Sequence, residues 1–436
     1  MNIRPFEIIL IAVFAIGAIG GLIYFAKYKP ESDPTAVLYG DSVVIWGTQD
    51  ADKMEGLFLS ISKNNESFNV VSYHEVEERS FQNELLNAIA DGKAPDLIIM
   101  PHTLLVTYRT KLKPISFKTI TQKAFRDTYI EGAEIFMRSD GIYGVPIAAD
   151  PLIMYWNRDI FSGSGVASPP KTWETLTAQT TRAINRTDNW LSLTQSAVAF
   201  GEFMNVNHAK NILSMLLLQA GSEIVTENED GEYAVTISKS QDGGMSAGSA
   251  VLSFYTQFST PSKEAYSWNR SKNMDRTEFL EGKLALYFGM GSEKTSLERD
   301  NANLNYDVEI VPQGSEATIQ RNYADFYALA IPRSSKNIEG AYAVASFLGQ
   351  PVQAKKFAET FNFAPVHRSL YSEDVADPFK NVLYRSALIA RGWLDPNPSQ
   401  SSEAFRAMVE DALTDQTNLS KIINDTVTSL KSLFNK

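Results

Sequence analysis

Three short segments constrain the fold more than any other part of the chain. Val43–Trp46 is an apolar run closed by Gly47, which reads as a first strand. Ser80–Ala90 places Phe81, Leu85, Leu86, Ala88 and Ile89 at helical spacing and is stopped by Gly92. Asp96-Leu-Ile-Ile-Met100 then has the unbroken apolar pattern of a strand buried on both faces. Strand, helix, strand in that order predicts an α/β chain with a parallel sheet. Such a sheet presents its ligand edge at the strand C-termini.

The rest of the sequence continues in this style. Tyr143–Asn157 reads as strands around a bend at Pro146, and Thr172 is a natural N-cap for the helix opening with Trp173-Glu174. His208–Ala220 is an apolar helix ended by Gly221. Thr277–Gly282 is a short helix before the strand Lys283–Phe288. Helices are expected at Asn337–Leu348 and Glu403–Leu413, with an amphipathic one at Leu419–Phe434. A length of 436 residues exceeds one ordinary domain, so two or three folding units are expected.

Ahead of this body, Ile8–Ala26 is 19 residues without a charge. At about 1.5 Å per residue it spans close to the ~30 Å hydrocarbon core of a bilayer, and only a helix of this kind satisfies its own backbone there. The run is long for a secretory leader, and its end, with Tyr24, Phe25, Lys27 and Tyr28, offers no small-residue cleavage site. An uncleaved anchor at 1–30 and a short linker at 31–40 are therefore expected. Arg4 stands against Lys27 and Lys29, so flanking charge does not fix the orientation.

Charge and cysteine usage exclude several functions. The formal net charge is −11 although residues 1–30 carry a positive balance, so the body is strongly acidic. It would repel a phosphate backbone, and no nucleic-acid partner is expected. With no cysteine there is no disulfide framework, thiolate metal site, Cys nucleophile or lipid-bearing N-terminal Cys. His74, His102, His208 and His367 are scattered without metal-ligand spacing, and no P-loop or G-x-S-x-G is present. The chain is expected to be neither an enzyme nor a cofactor carrier.

Five ordered segments carry a resemblance. They are Gly141-Ile-Tyr-Gly-Val-Pro-Ile-Ala-Ala-Asp150-Pro-Leu-Ile-Met-Tyr-Trp-Asn157-Arg-Asp159 with Pro169-Pro-Lys-Thr-Trp173-Glu-Thr-Leu176; Gln195–Gly201 with Ile212–Gly221; Phe279–Leu286; Gly289-Met-Gly291; and Ile331-Pro-Arg-Ser-Ser-Lys336-Asn. In order and spacing the chain resembles the family 1 extracellular solute-binding proteins, the group that includes the maltose- and other sugar-binding components of ABC importers. The resemblance implies a two-lobed periplasmic-binding-protein fold, type II-like, with a ligand cleft between lobes. It implies chain crossings near Ala148–Leu152, Ala324–Ala328 and Phe363–His367. One lobe would comprise 41–150 and 328–364, the other 151–327 and 365–436. It further implies a sugar or similar polar solute as ligand, ABC permease subunits as partners, an extracytoplasmic location and a monomer. A membrane-anchored sensor with the same fold and no transport role is the alternative.

A polyol is held by aromatic faces against its C–H surface and by carboxylates or amides on its hydroxyls. The resemblance places ligand contacts at Asp50, after the first strand, and at Asp150, beside the first crossing. Asp50 serves equally well as a helix N-cap. His102 follows the Asp96–Met100 strand in Met100-Pro-His-Thr, which lacks the aromatic and acid of the maltose-binding pattern. Gly291 and Ser292 lie in the family's glycine-containing cleft loop, and Tyr323 and Asp325 flank the second crossing. Trp268 and Trp393 sit in polar stretches and are candidates for stacking or for core packing.

Overall fold

The computed structural model describes residues 42–188, 192–240, 243–372 and 375–434. The expected anchor at 1–30 and linker at 31–40 lie outside the described residues. Among the described residues, no helix is long and apolar enough to cross a membrane.

The opening elements form as read. Strand β1 (Val43–Gly47) is followed by helix α1 (Ala51–Ser62), β2 (Val71–Glu75), α2 (Phe81–Ala90) and β3 (Leu97–Pro101). β1 runs parallel to both β2 and β3, with Val43 opposite Val71 and Ile45 opposite Leu97. All four apolar residues Leu97–Met100 are buried, as an inner strand covered on both faces requires.

The centre is β4 (Val145–Asn157), 13 residues long. The expected bend at Pro146 is absent. Instead β4 carries an extra residue next to the proline: Tyr327 faces Ala148 and Ala328 faces Pro146, so Ile147 is left without a partner in β8. That extra residue absorbs the missing proline N–H without breaking the strand. β5 (Leu193–Val198), helix α3 (Ala209–Gln219), β6 (Leu284–Met290), β7 (Tyr306–Glu309) and β8 (Asn322–Ala330) complete the sheet core. Its order is β2-β1-β3-β8-β4-β6-β5, with β7 also on β4.

β4 changes partners along its length. Val145–Pro151 pairs with β8, whereas Leu152–Trp156 pairs with β6 and Met154–Asn157 with β7. Two groups of strands therefore share one central pair, and the chain passes between them at Pro151/Leu152. A third passage lies alongside, because Ala149 and Ala364 exchange backbone hydrogen bonds of 2.9 and 2.7 Å.

Helices cover this sheet: α1 packs on β2, α3 on β8 with α4 (Ala247–Thr256) against it, α5 (Ile338–Leu348) on β1, and both α6 (Pro351–Phe361) and α7 (Pro378–Leu388) on β4. α8 (Pro398–Thr414) and α9 (Leu419–Phe434) pack on each other. Three of these helices carry Pro in the first turn behind a polar cap or approach residue, a start signal that the hydrophobic period alone misses.

Candidate ligand-binding cleft

The shared strand pair sets the chemistry. Asp150 and Asp325 are directly opposite in the β4–β8 register, so their side chains leave the same face of the sheet. Asp150 is 3% exposed, and its Oδ1 accepts the Ser292 N–H at 3.0 Å. Burial pushes its carboxyl up to about 8, with the charges of Asp325 and Glu293 adding to the effect against the Ser292 bonds. Asp325 Oδ1 accepts the Tyr323 hydroxyl at 2.7 Å. Burial raises Asp325 to about 6, helped by the charge of Glu78 and opposed by Tyr323, Lys210 and His208.

Gly291 permits the close approach of the loop after β6. A Cβ at this position would lie 2.2 Å from Leu383 Cδ1 and 3.3 Å from Asp150 Oδ1. With Gly291 in place, the Ser292 amide reaches the carboxylate. Glu293, the next residue, bonds His208 Nε2 at 2.8 Å and accepts the Tyr287 hydroxyl at 2.7 Å. Burial would lower the His208 imidazole, but the Glu293 charge and hydrogen bond outweigh it and raise the group to about 9. Burial would likewise raise Glu293, and the same partner holds it below the ordinary carboxylate range.

An apolar wall adjoins the carboxylates. The Tyr327 ring, two residues beyond Asp325 on the same face, stacks on Phe363 at 4.9 Å and 17°. Phe361 continues the stack at 5.9 Å from Phe363 and carries Lys53 Nζ over its ring at 5.8 Å. Lys53 lies in the first turn of α1, whose N-cap is Asp50: Asp50 Oδ1 accepts the Lys53 N–H at 2.9 Å.

Six of the nine candidates therefore converge: His102, Asp150, Gly291, Ser292, Tyr323 and Asp325. His102 does so from behind. It is fully buried, its Nδ1 accepts the Phe326 N–H at 3.2 Å and lies 3.8 Å from Asp325 Oδ1. Burial and then the charge of Lys210 lower its imidazole to about 3, so it is neutral with its proton on Nε2. That nitrogen faces Gly392 and has no hydrogen-bond partner. The expectation of a direct ligand contact at His102 is corrected, since its ring is covered on all sides.

Both tryptophan stacking expectations are corrected as well. Trp268 is fully buried and donates to Asn205 Oδ1 at 3.1 Å. Trp393 is 2% exposed, donates to Ser214 Oγ at 3.1 Å and packs on Phe405. Each satisfies its indole N–H inside the core, so a polar sequence neighbourhood did not mean an open ring. Asp50 stands apart from the convergent group, exposed and acting as a helix cap.

Sequence reading missed His208, Glu293, Tyr287, Glu78, Tyr327 and Phe363. Glu293 had a usable signal, being the next residue of the loop that holds Gly291 and Ser292. For the others nothing local announced the role. Among the described residues, no group of three or more His, Cys, Asp or Glu could hold a metal ion.

The two-group sheet thus places carboxyl groups beside a stacked aromatic wall at the crossing, groups of the kind that can hold a polar solute. The chain belongs to the bacterial extracellular solute-binding proteins, whose family pattern matches residues 62–381. A Brucella abortus protein with the provisional name of binding protein is 26% identical over 227 residues, 52% of this chain and 51% of the relative. The chain thus spans about half the length of that relative. The galactooligosaccharide-binding protein of Bacillus subtilis is 22% identical over 378 residues, 85% of this chain and 83% of its own. Among solved structures, a cyclo/maltodextrin-binding protein complexed with maltotetraose superposes with a TM-score of 0.71 at 17% identity, covering 93% of this chain and 98% of that one. The cyclic alpha-maltosyl-1,6-maltose binding protein of Arthrobacter globiformis gives 0.72 at 16% identity, covering 91% and 99%. These likenesses show the two-lobed α/β fold.

Proposed function

We propose that this protein captures a carbohydrate at the crossing of its two lobes and delivers it to an ABC permease, working as a monomer on the extracytoplasmic side. The observation that carries the reading is the Asp150–Asp325 pair set beside the Tyr327–Phe363 stack. Carboxyl groups exchange hydrogen bonds with sugar hydroxyls, Asp150 as a protonated donor and acceptor and Asp325 chiefly as an acceptor, while an aromatic face takes the C–H surface, so one site offers both halves of the chemistry. The oligosaccharide ligands named for the relatives point the same way. The lobes would be 41–150 with 328–364 and 151–327 with 365–436, closing around the ligand because the closed form binds it better. Ile8–Ala26, 19 residues without a charge, would hold the protein at the membrane.

The test is a thermal-shift panel of mono- and oligosaccharides and polyols on the body from residue 36 onward. At least one sugar is expected to raise Tm, and Asp150→Ala is expected to reduce that shift while leaving the protein folded. A silent panel would overturn the carbohydrate reading, and an unchanged affinity in Asp150→Ala would remove Asp150 from the site.

A further inference from the structure

The face of the crossing strands opposite Asp325 carries its own contact between the two strand groups. Asp325 and Phe326 are consecutive in β8 and so point to opposite faces. Phe326 packs against Gly132, where a Cβ would lie 2.1 Å from its ring. Gly132 lines a cavity of about 890 Å³ together with Arg138, Glu227, Arg391 and Gly392. His102 spans the boundary, with Nδ1 on the Asp325 side and Nε2 against Gly392. The cavity and the ligand cleft are thus separated by the strands about which the lobes would turn.

At this rear face the Glu227 side chain, 6% exposed, bridges two arginines from the other strand group. Its Oε1 pairs with Arg109, which follows β3, and its Oε2 takes Arg138, just ahead of β4, at 3.2 Å. Arg109 also donates to the Tyr233 hydroxyl at 3.0 Å and to Asp140 at 2.9 Å. Glu227 and Tyr233 are carried by the paired strands Val225–Glu227 and Tyr233–Val235, which come after α3 on the far side of the crossing. Nearby, Thr107 Oγ1 donates to the Pro396 carbonyl at 3.1 Å. Charge-assisted bonds of this kind are short-ranged, and a few tenths of an ångström to an ångström of separation loses most of them.

We infer that the Arg109–Glu227–Arg138 bridge is a positioning device that opposes lobe closure and so sets the ligand affinity from behind the hinge. A rotation that narrows the Asp325 side widens the opposite side, because the shared strands act as the pivot. Closure therefore stretches the bridge, and part of the ligand's binding free energy goes into breaking it. A ligand shifts the two arrangements only by its differential affinity, so weakening the bridge raises apparent affinity. The inference rests on the reading of the Asp150–Asp325 cleft as the ligand site, and one arm of its test needs no ligand.

In Glu227→Gln the ligand-free protein is expected to show a smaller radius of gyration by small-angle X-ray scattering, through a larger share of closed molecules. Its Kd for the sugar found in the panel should fall about three- to tenfold, although its Tm is lower. Destabilisation alone does not tighten binding, which separates this role from a merely structural one. Tyr233→Phe, which removes one hydroxyl and keeps the charges, should move both quantities in the same direction by less. Arg158→Gln, whose Asp307 partner lies within one strand group, should move neither. An unchanged radius of gyration in both Glu227→Gln and Tyr233→Phe would overturn the inference even if no ligand had been found. An unchanged or weakened affinity would overturn it while leaving the carbohydrate reading intact.

Discussion

At the scale of single residues, Asp150 and His208 are held away from their ordinary protonation in ways that stability reports directly. Asp150 keeps its proton in the folded state to about 8, against an unfolded value of 3.8. The folded protein therefore binds the extra proton between those values, and stability from this group is full at low pH and declines as pH rises from about 4 to about 8. Asp150→Asn keeps the shape and removes the charge. We expect it to be more stable than the parent at pH 8, by on the order of 2 kcal/mol, and nearly equal at pH 4. Denaturant titrations at the two pH values would show this, and equal stability at pH 8 would contradict it. His208 has the opposite logic. Its pKa rises from 6.5 to about 9, so the stabilisation is complete below 6.5 and disappears as pH passes 9. His208→Gln should cost roughly 1–3 kcal/mol at pH 6, through the loss of a charged partner for Glu293, and the gap should narrow by pH 9.5.

At the scale of elements, caps and close approaches explain why the segments begin and end where they do. α8 starts at Pro398 and is five residues longer at its front than its apolar period indicates. Asn397 supplies the cap, its Oδ1 accepting the Gln400 N–H at 3.0 Å, and Pro398 takes the first helical position, where no N–H is needed. Asn397→Ala should lower stability by about 1 kcal/mol, visible as a small drop in Tm with the helical signal retained. Most elements were legible from such local rules: β1, α2, β3, α3 and α9 fall within a residue or two of the pattern that announces them. α6 and α7 were not read, because Gln, Lys, Asn and Arg interrupt their apolar pattern and only four residues of each are buried. The missing bend at Pro146 was unreadable for a different reason. The accommodating bulge is at Ile147, beside the proline, but it exists only against the register of β8, some 180 residues away in the chain.

At the scale of the whole molecule, the two strand groups are joined by β4, β8 and the Ala149–Ala364 passage, a thin connection between two packed bodies. Such an arrangement makes ligand binding and overall stability two views of one equilibrium. A ligand present at 100 times its Kd should stabilise the native state by about 2.7 kcal/mol. Calorimetric scans over a ligand series should therefore show a Tm that climbs with the logarithm of concentration; a Tm that saturates at once, or stays flat, would contradict a native-state ligand.

The sequence by itself determined the α/β class, the order of the opening elements and, through its spaced segments, the family. These follow from local rules, since periodicity, caps and glycine stops act within a few residues of the chain. Asp150, Gly291, Ser292 and Asp325 were within reach because each stands at a strand end or crossing that the pattern marks. Only the tertiary structure decided which side chains come together there. It buried Trp268 and Trp393 by giving each indole a polar partner inside the core, and it closed His102 behind Asp325 with Gly392 against its free nitrogen. It also brought together Glu293 with His208 and Glu227 with Arg109 and Arg138, pairs separated by 85, 118 and 89 residues. Exposure and long-range pairing are properties of packing, in which distant segments compete for the same volume, so no local reading of the chain contains them.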